Sequence, residues 1–279
     1  MRILHTVDEL KLWRGRAPGT VGLVPTMGNL HAGHLALVQA AMRDCDRVVV
    51  SIFVNPLQFG PNDDLDTYPR TLDADIAALE SAGADAVFAP SVEQMYPHPG
   101  GTATTVHVRG ITDMLCGSRR PGHFEGVATI VTKLMNLVRP DAAFFGEKDY
   151  QQLAVIRRMV EDLCMGVDVR GVPTIREADG LARSSRNQYL DADQRGQATT
   201  VAAAIDDCIA RLTAGERDYP ALEARGWSRL ADAGIEPDYF EVRRADLTRP
   251  DVDTRRFRVL AAGHLGRARL IDNKGVLVE

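Results

Sequence analysis

The sequence predicts an α/β protein with a Rossmann-like, open and mostly parallel sheet, followed by a smaller C-terminal α+β domain. Between residues 21 and 174, short apolar or β-branched runs alternate with segments whose apolar residues recur at helical spacing. That alternation builds parallel sheets with right-handed crossovers. From about Asp191 the texture changes to two longer helical patterns and then several short strands. The expected domains are therefore 1–187 and 188–279, the second covering the site.

Taken in order, residues 21–25 form a strand, and 34–42 a helix through Leu35, Leu37, Val38, Ala41 and Met42. Residues 47–54 are apolar almost throughout, as a parallel strand covered on both faces must be. Residues 71–82 give a helix and 83–90 a turn and strand. A helix over 124–138 is kept from continuing by Pro140. Strand 142–145, helix 151–163 and strand 167–174 close the series. Helices over 198–212 and 222–233 follow, then short strands over 238–243, 258–262 and 267–271. Lys274 interrupts what would otherwise be a hairpin signal after Asn273.

The chain has 279 residues, 45% hydrophobic and 25% charged, which excludes disordered and fibrous classes. A net charge of −5 lacks the positive field that nucleic-acid binders use on phosphates, so any polyanion must be held locally. Only four lysines stand against 29 arginines. Cys45, Cys116, Cys164 and Cys208 lie too far apart for a zinc knuckle or redox dithiol and read mostly as reduced core thiols. The acidic N-terminal stretch is unlike a signal peptide, and no apolar run approaches the roughly 20 residues that span a bilayer. A cytoplasmic enzyme with no membrane and no nucleic-acid partner is expected.

Three clusters carry chemistry. Pro25-Thr-Met-Gly-Asn-Leu-His-Ala-Gly-His34 lies where the first strand of the alternating series meets the following helix. Gly28 and Gly33 let a ligand approach the backbone, and the helix N-terminus supplies N–H groups and positive dipole for a phosphate. His31 and His34 share one face of the first turn. The residues alone also allow capping or core histidines, or two metal ligands. Gly180-Leu-Ala-Arg-Ser-Ser-Arg-Asn187 offers hydroxyls and an arginine fork to phosphate oxygens, or forms a helix cap. Phe145-Gly-Glu-Lys-Asp149, at a strand end, presents Lys148 to a nucleotide, or is a solvated turn neutralised by Glu147 and Asp149.

Together these clusters resemble the nucleotidyl-transferring superfamily that includes class I aminoacyl-tRNA synthetases. More narrowly, Pro25-Thr-Met-Gly-Asn-Leu-His31, Val54-Asn-Pro-Leu-Gln-Phe59, Tyr68-Pro-Arg70, Phe124-Glu-Gly-Val127, Gly146-Glu-Lys-Asp-Tyr-Gln-Gln152 and Ser184-Ser-Arg-Asn187 are similar to the pantothenate synthetase family. The resemblance spans almost the whole chain. It implies joining pantoate to β-alanine with ATP, releasing AMP and pyrophosphate through a pantoyl adenylate, in a homodimer assisted by Mg²⁺.

By position, the resemblance implies ATP binding by Pro25, Met27, Gly28, Asn29, Leu30, His31, Ala32, Gly33 and His34. It adds Gly146, Glu147, Lys148, Asp149, Arg183, Ser184, Ser185 and Arg186 to the same ligand. His34, the implied proton donor, is catalytic with His31, Lys148 and Arg186. Gln58, Gln152 and Asn55 would hold pantoate, with Gln58 also near β-alanine, and Asp75 would assist Mg²⁺. Arg183 stands where the family usually has Met or Leu, and Ala32 where an acidic residue is frequent.

Arg119, Arg120 and His123 read as a solvated basic loop, with phosphate contacts or a subunit interface as alternatives. Three rival functions remain at this stage. A transferase for a phosphorylated acceptor would want a basic pocket where the two glutamines stand, and a tRNA-charging fragment would want positive charge. A non-catalytic nucleotide binder would release no pyrophosphate.

Overall fold

The computed structural model describes residues 1–60, 63, 65–98 and 102–278. The chain divides into two compact units, Met1–Gly146 with Val155–Pro173, and Glu147–Ala154 with Thr174–Glu279.

The first unit is built on six strands: β1 (Arg2–Leu4), β2 (Val21–Thr26), β3 (Arg47–Ile52), β4 (Ala86–Phe88), β5 (Ala142–Gly146) and β6 (Asp168–Val172). They lie in the order β1-β4-β3-β2-β5-β6, and every pair is parallel. The β2–β3 register runs from Val21 opposite Arg47 to Thr26 opposite Ile52. Because side chains alternate across a strand, Val24, Val48, Val50, Val87 and Phe144 share one face. They pack there with Leu37, Val38 and Ala41 of α2 (Ala32–Asp44) and Leu79 of α3 (Leu72–Ala82). The alternate residues Leu23, Val49, Phe88 and Ala143 are equally buried on the other face, where α6 (His123–Val138) packs against β2. Both faces are covered, which is why these strands read as unbroken apolar runs.

From β2 the chain lays β3 and β4 to one side and later places β5 and β6 on the other. The strand order therefore reverses between β2 and β5, and ligands in open parallel sheets bind beyond the carboxyl ends at such a point. Those ends are Thr26 and Gly146. The 25–34 and 145–149 motifs begin there.

The second unit holds an antiparallel sheet of β7 (Glu236–Arg244), β8 (Arg256–Leu265) and β9 (Ala268–Leu277). It packs with α8 (Ala192–Thr213) and α9 (Tyr219–Asp232) around Ile205, Leu212, Leu230, Phe257 and Val259. Gly266, at φ 56°, opens the two-residue turn that joins β8 to β9. Asn273 lies inside β9 opposite Leu260, so the hairpin turns before it. The second unit takes in Glu147–Ala154 and residues 174–187 besides those from 188 onward. Leu181 is buried in its core, and Arg176 makes a two-bond ion pair with Asp272 of β9 at 2.7 and 2.9 Å.

The sequence reading lacks β1, α1 (Val7–Arg16), and two single-turn helices, α4 (Val92–Met95) and α5 (Cys116–Arg119). No disulfide joins the cysteines, but only Cys208 is buried, its thiol pushed up to about 12 by desolvation. Cys45 only borders the first unit's core, Cys116 is half-buried and Cys164 exposed, so the expectation of core thiols is corrected for these three. Among the described residues no helix is long and apolar enough to cross a membrane.

Candidate active site

In the first unit the loop after β2 is held from three sides. Thr26 Oγ1 donates to the Ser51 carbonyl at 2.7 Å and accepts the Gly28 N–H at 3.3 Å. Gly28 has φ +82°, and a Cβ there would stand 3.0 Å from an Asp75 carboxylate oxygen, so the turn requires glycine. Asp75, 3% exposed, accepts the N–H groups of Asn29 and Leu30 at 2.9 and 2.8 Å and the Thr71 hydroxyl at 3.2 Å.

Asp75, expected to assist Mg²⁺, thus has a structural task of its own, shaping the loop after β2. Among the described residues no group of three His, Cys, Asp or Glu side chains could hold a metal ion.

His31 is the N-cap of α2. Its Nδ1 accepts the Gly33 N–H at 3.1 Å, while His34 Nδ1 accepts the His31 N–H at 3.3 Å. The two rings stack with centroids 4.1 Å apart. With each Nδ1 accepting, the neutral ring carries its proton on Nε2, and both histidines present an Nε2–H donor at a helix N-terminus. Capping and anion recognition, alternatives in the sequence, are thus one device: the cap sets the tautomer that can donate.

The turn after β3 builds a second cluster in the same unit. Asn55 caps a 3-10 turn, Pro56–Gln58. Asn55 is fully buried, and Gln58 is 8% exposed. Asn55 Oδ1 accepts from Tyr96 Oη at 2.7 Å and from the Leu57 N–H at 3.3 Å. Its Nδ2 donates to the Gly126 carbonyl and to Gln58 Oε1, both at 3.0 Å. Gly126 is needed for this approach, since a Cβ would come within 2.2 Å of the Leu57 carbonyl oxygen. The Asn55 side chain is therefore fully engaged within the protein, where it orients Gln58.

The Gln58 carbonyl accepts His123 Nδ1 at 2.8 Å and Arg120 Nη2 at 3.3 Å. Arg120 also bonds the Asp63 carboxylate at 2.9 Å. Burial works to raise the Asp63 carboxyl, but the bonds from Arg120 and the Gly60 N–H outweigh it and hold it below the ordinary range. The reading of this basic stretch as a solvated loop is corrected for Arg120 and His123. Both clamp the glutamine turn.

In the second unit, Lys148 lies in a 3-10 turn, Glu147–Asp149, and its side chain is 18% exposed. Its nearest counter-charge among the described residues is Asp149 at 4.0 Å, so the ammonium is not neutralised by close contact. Glu147 pairs instead with Arg258, whose guanidinium lies 3.7 Å from the Tyr150 ring centroid. Asn273 of β9 donates to the carbonyls of Glu147 and Lys148 at 2.9 and 2.8 Å, fixing the turn.

Lys148 and Ser184 line one small recess with Asn187 and Asp272, so the second and third clusters of the sequence meet. Ser184 Oγ caps the turn by accepting the Arg186 N–H at 3.3 Å. Asn187 ties the turn to Glu177 at 2.9 Å and to the Ala182 carbonyl at 3.1 Å. Arg183 has a partly exposed side chain and pairs with Glu177 at 3.4 Å, which explains how a charged residue is tolerated there. Gln152 is half-buried in the first turn of α7 (Tyr150–Asp162), and its side chain makes no hydrogen bond among the described residues.

Thr26, Tyr96, Arg258 and Asn273 are functional supports that the sequence reading missed. Only Thr26 and Arg258 bear a local signal, by lying at or in predicted strands; the others act across long sequence separations.

A parallel sheet with two Nε2–H histidine donors at a helix N-terminus by the strand-order reversal defines a nucleotide-using α/β enzyme of the HIGH-type superfamily. Residues 2–275 match the family described as Pantoate-beta-alanine ligase, and the chain belongs to that family. It is accordingly an ATP-dependent ligase that makes pantothenate by forming a carbon–nitrogen bond. Pantothenate synthetase from Pseudomonas aeruginosa (strain UCBPP-PA14) is 54% identical, with all of both chains covered.

The crystal structure of pantothenate synthetase from Thermus thermophilus superposes with TM-score 0.91 at 47% identity, covering 98% of this chain and 99% of that one. A pantoate-beta-alanine ligase from Francisella tularensis, complexed with "Beta-gamma ATP" and β-alanine, gives TM-score 0.82 at 33% identity and covers 98% and 97%.

Proposed function

We propose that the reaction runs through a pantoyl adenylate and that the sequence motifs divide its labour. ATP lies along Met27–His34, Gly146–Asp149 and Arg183–Arg186, while Gln58 and Gln152 hold pantoate. The pantoate carboxylate oxygen attacks the α-phosphorus as the bond to pyrophosphate breaks. The free amine of β-alanine then attacks the acyl carbon, AMP departs with the C–O bond's electron pair, and the amine gives up a proton.

Negative charge develops on the phosphoryl oxygens and on pyrophosphate, so catalysis is mainly positioning and fixed positive charge. Nε2–H of His31 and His34, the loosely paired Lys148 and Arg186 supply it. Neutral amides suit pantoate because they orient its carboxylate while drawing off less nucleophilic charge than an arginine fork. Mg²⁺ bound to the triphosphate would neutralise part of its charge. The enzyme works in the cytoplasm as a homodimer and needs no nucleic acid.

The observation that carries this reading is the capped histidine pair, whose hydrogen bonds turn both Nε2–H groups into donors at a helix N-terminus. Pantoate-dependent exchange of labelled pyrophosphate into ATP, with β-alanine absent, tests it. Exchange in the wild type and its loss in folded His34→Ala is expected; undiminished exchange in that variant contradicts the assignment.

A further inference from the structure

Gln58 has a feature that its role as a substrate ligand does not require: its amide is oriented by a buried chain of hydrogen bonds. The orientation can be read outward from two unambiguous backbone groups. The Leu57 N–H can only donate, so the Asn55 atom facing it is Oδ1; the Gly126 carbonyl can only accept, so the atom facing it is Nδ2. The second proton of that Nδ2 then goes to Gln58, whose inner atom must be Oε1. It follows that Gln58 presents Nε2 outward, and among the described residues this Nε2 has no partner.

Tyr96 closes the chain. Its hydroxyl meets Asn55 Oδ1 at 2.7 Å and is therefore the donor there. The ring is 7% exposed, packs with Phe53 at 6.0 Å between centroids, and has Lys133 Nζ 5.3 Å from its centroid. Burial pushes the phenol well above its ordinary value, so the proton it donates is retained throughout the physiological range. Tyr96 comes from the end of α4, far from Asn55 in sequence, and no motif points to it.

We propose that Tyr96 is a positioning residue that acts through Asn55 to make Gln58 a pure hydrogen-bond donor toward the acyl substrate. This assigns the specificity of the position as well. An outward Nε2 donates to a carboxylate or a hydroxyl oxygen, while Oε1 is turned inward to Asn55.

The inference rests on Gln58 holding pantoate, and a double-mutant cycle separates the two claims. Tyr96→Phe keeps the ring and removes one oxygen. In an otherwise intact enzyme it should raise the KM for pantoate about tenfold, the size expected for one buried hydrogen bond, and leave the KM values for ATP and β-alanine within about twofold. Combined with Gln58→Ala, Tyr96→Phe should add nothing further. An equal rise in the ATP and pantoate KM values, or a Tyr96→Phe effect that persists undiminished in the Gln58→Ala background, overturns the relay.

If Gln58→Ala itself leaves the pantoate KM unchanged, the reading of Gln58 fails and the relay with it. If Gln58→Ala raises it and Tyr96→Phe does not, only the relay fails. Gln58→Glu probes the same geometry without disturbing the buried hydroxyl, because its inner oxygen keeps the Asn55 bond while its outer oxygen becomes an anion. It should weaken pantoate more than Gln58→Ala does, and equal or tighter pantoate use by Gln58→Glu contradicts the proposal.

Discussion

Lys148 stands out in the sequence by its place at the end of a predicted strand, and the structure adds the reason it is available to a ligand. Glu147, the neighbour that could have neutralised it, is taken by Arg258, and Asp149 stands 4.0 Å away. A folded Lys148→Ala enzyme should therefore lose pantoate-dependent ATP turnover by a factor of about 10² to 10³, as when a fixed charge or donor at developing negative charge is removed. Wild-type turnover would exclude Lys148 from the site. Gln152, lacking internal partners, should behave differently: Gln152→Ala is expected to raise the pantoate KM far more than the ATP KM.

Local motifs reveal these residues because Lys148 and Gln152 sit in a short stretch that follows a strand end. The structural bonds of Asn55 and Asp75 are hidden from sequence for the opposite reason. Their polar groups face inward, toward partners 71 and 46 residues distant, which no local pattern displays.

Among the elements, those with strong periodicity are legible: the apolar runs of β2 and β3, and α2 and α6 with their buried stripes. Strand β1 has only three residues, too few for a period. Helix α1 buries only Leu10, yet Thr6 and Glu9 form a capping box that is visible as Thr-x-x-Glu. Asp75 makes the first turns of α3 a brace for the loop after β2. Asp75→Ala leaves two part-buried N–H groups without their acceptor and should cost about 1 kcal/mol of stability while raising the ATP KM, measurable by thermal unfolding and initial rates.

The Ser184–Asn187 turn has a comparable brace in Glu177. Burial works to raise that carboxyl, but hydrogen bonds from Asn187 and Arg195, with the charges of Arg195 and Arg183, hold it below its ordinary value of 4.5. A lowered folded value stabilises the protein above the ordinary value and ceases to do so as pH falls through the lowered one. The melting-temperature gap between the wild type and Glu177→Gln should thus be widest near neutrality and shrink below about pH 4.5; a gap that widens on acidification contradicts it.

At the scale of the whole chain, the net charge of −5 means that a polyanion must be bound locally, and the devices proposed for this are two histidine donors at a helix N-terminus in the first unit and a loosely paired lysine in the second. The strand order that puts the histidine loop at a reversal point is only implicit in the sequence, since alternation predicts parallel strands without fixing their arrangement across the sheet. The second unit's limits are misplaced in the sequence reading because residues 174–187 are irregular in pattern. Leu181 and the Arg176–Asp272 pair tie them to the later strands.

The central claim is acyl activation by adenylation before amide formation. A rapid-quench measurement with ATP and pantoate, first without and then with β-alanine, tests it most directly. The account predicts a burst of about one pyrophosphate per active site that stops when the adenylate has accumulated, and sustained AMP release only once β-alanine is added. Pyrophosphate release that requires β-alanine from the first turnover would contradict it.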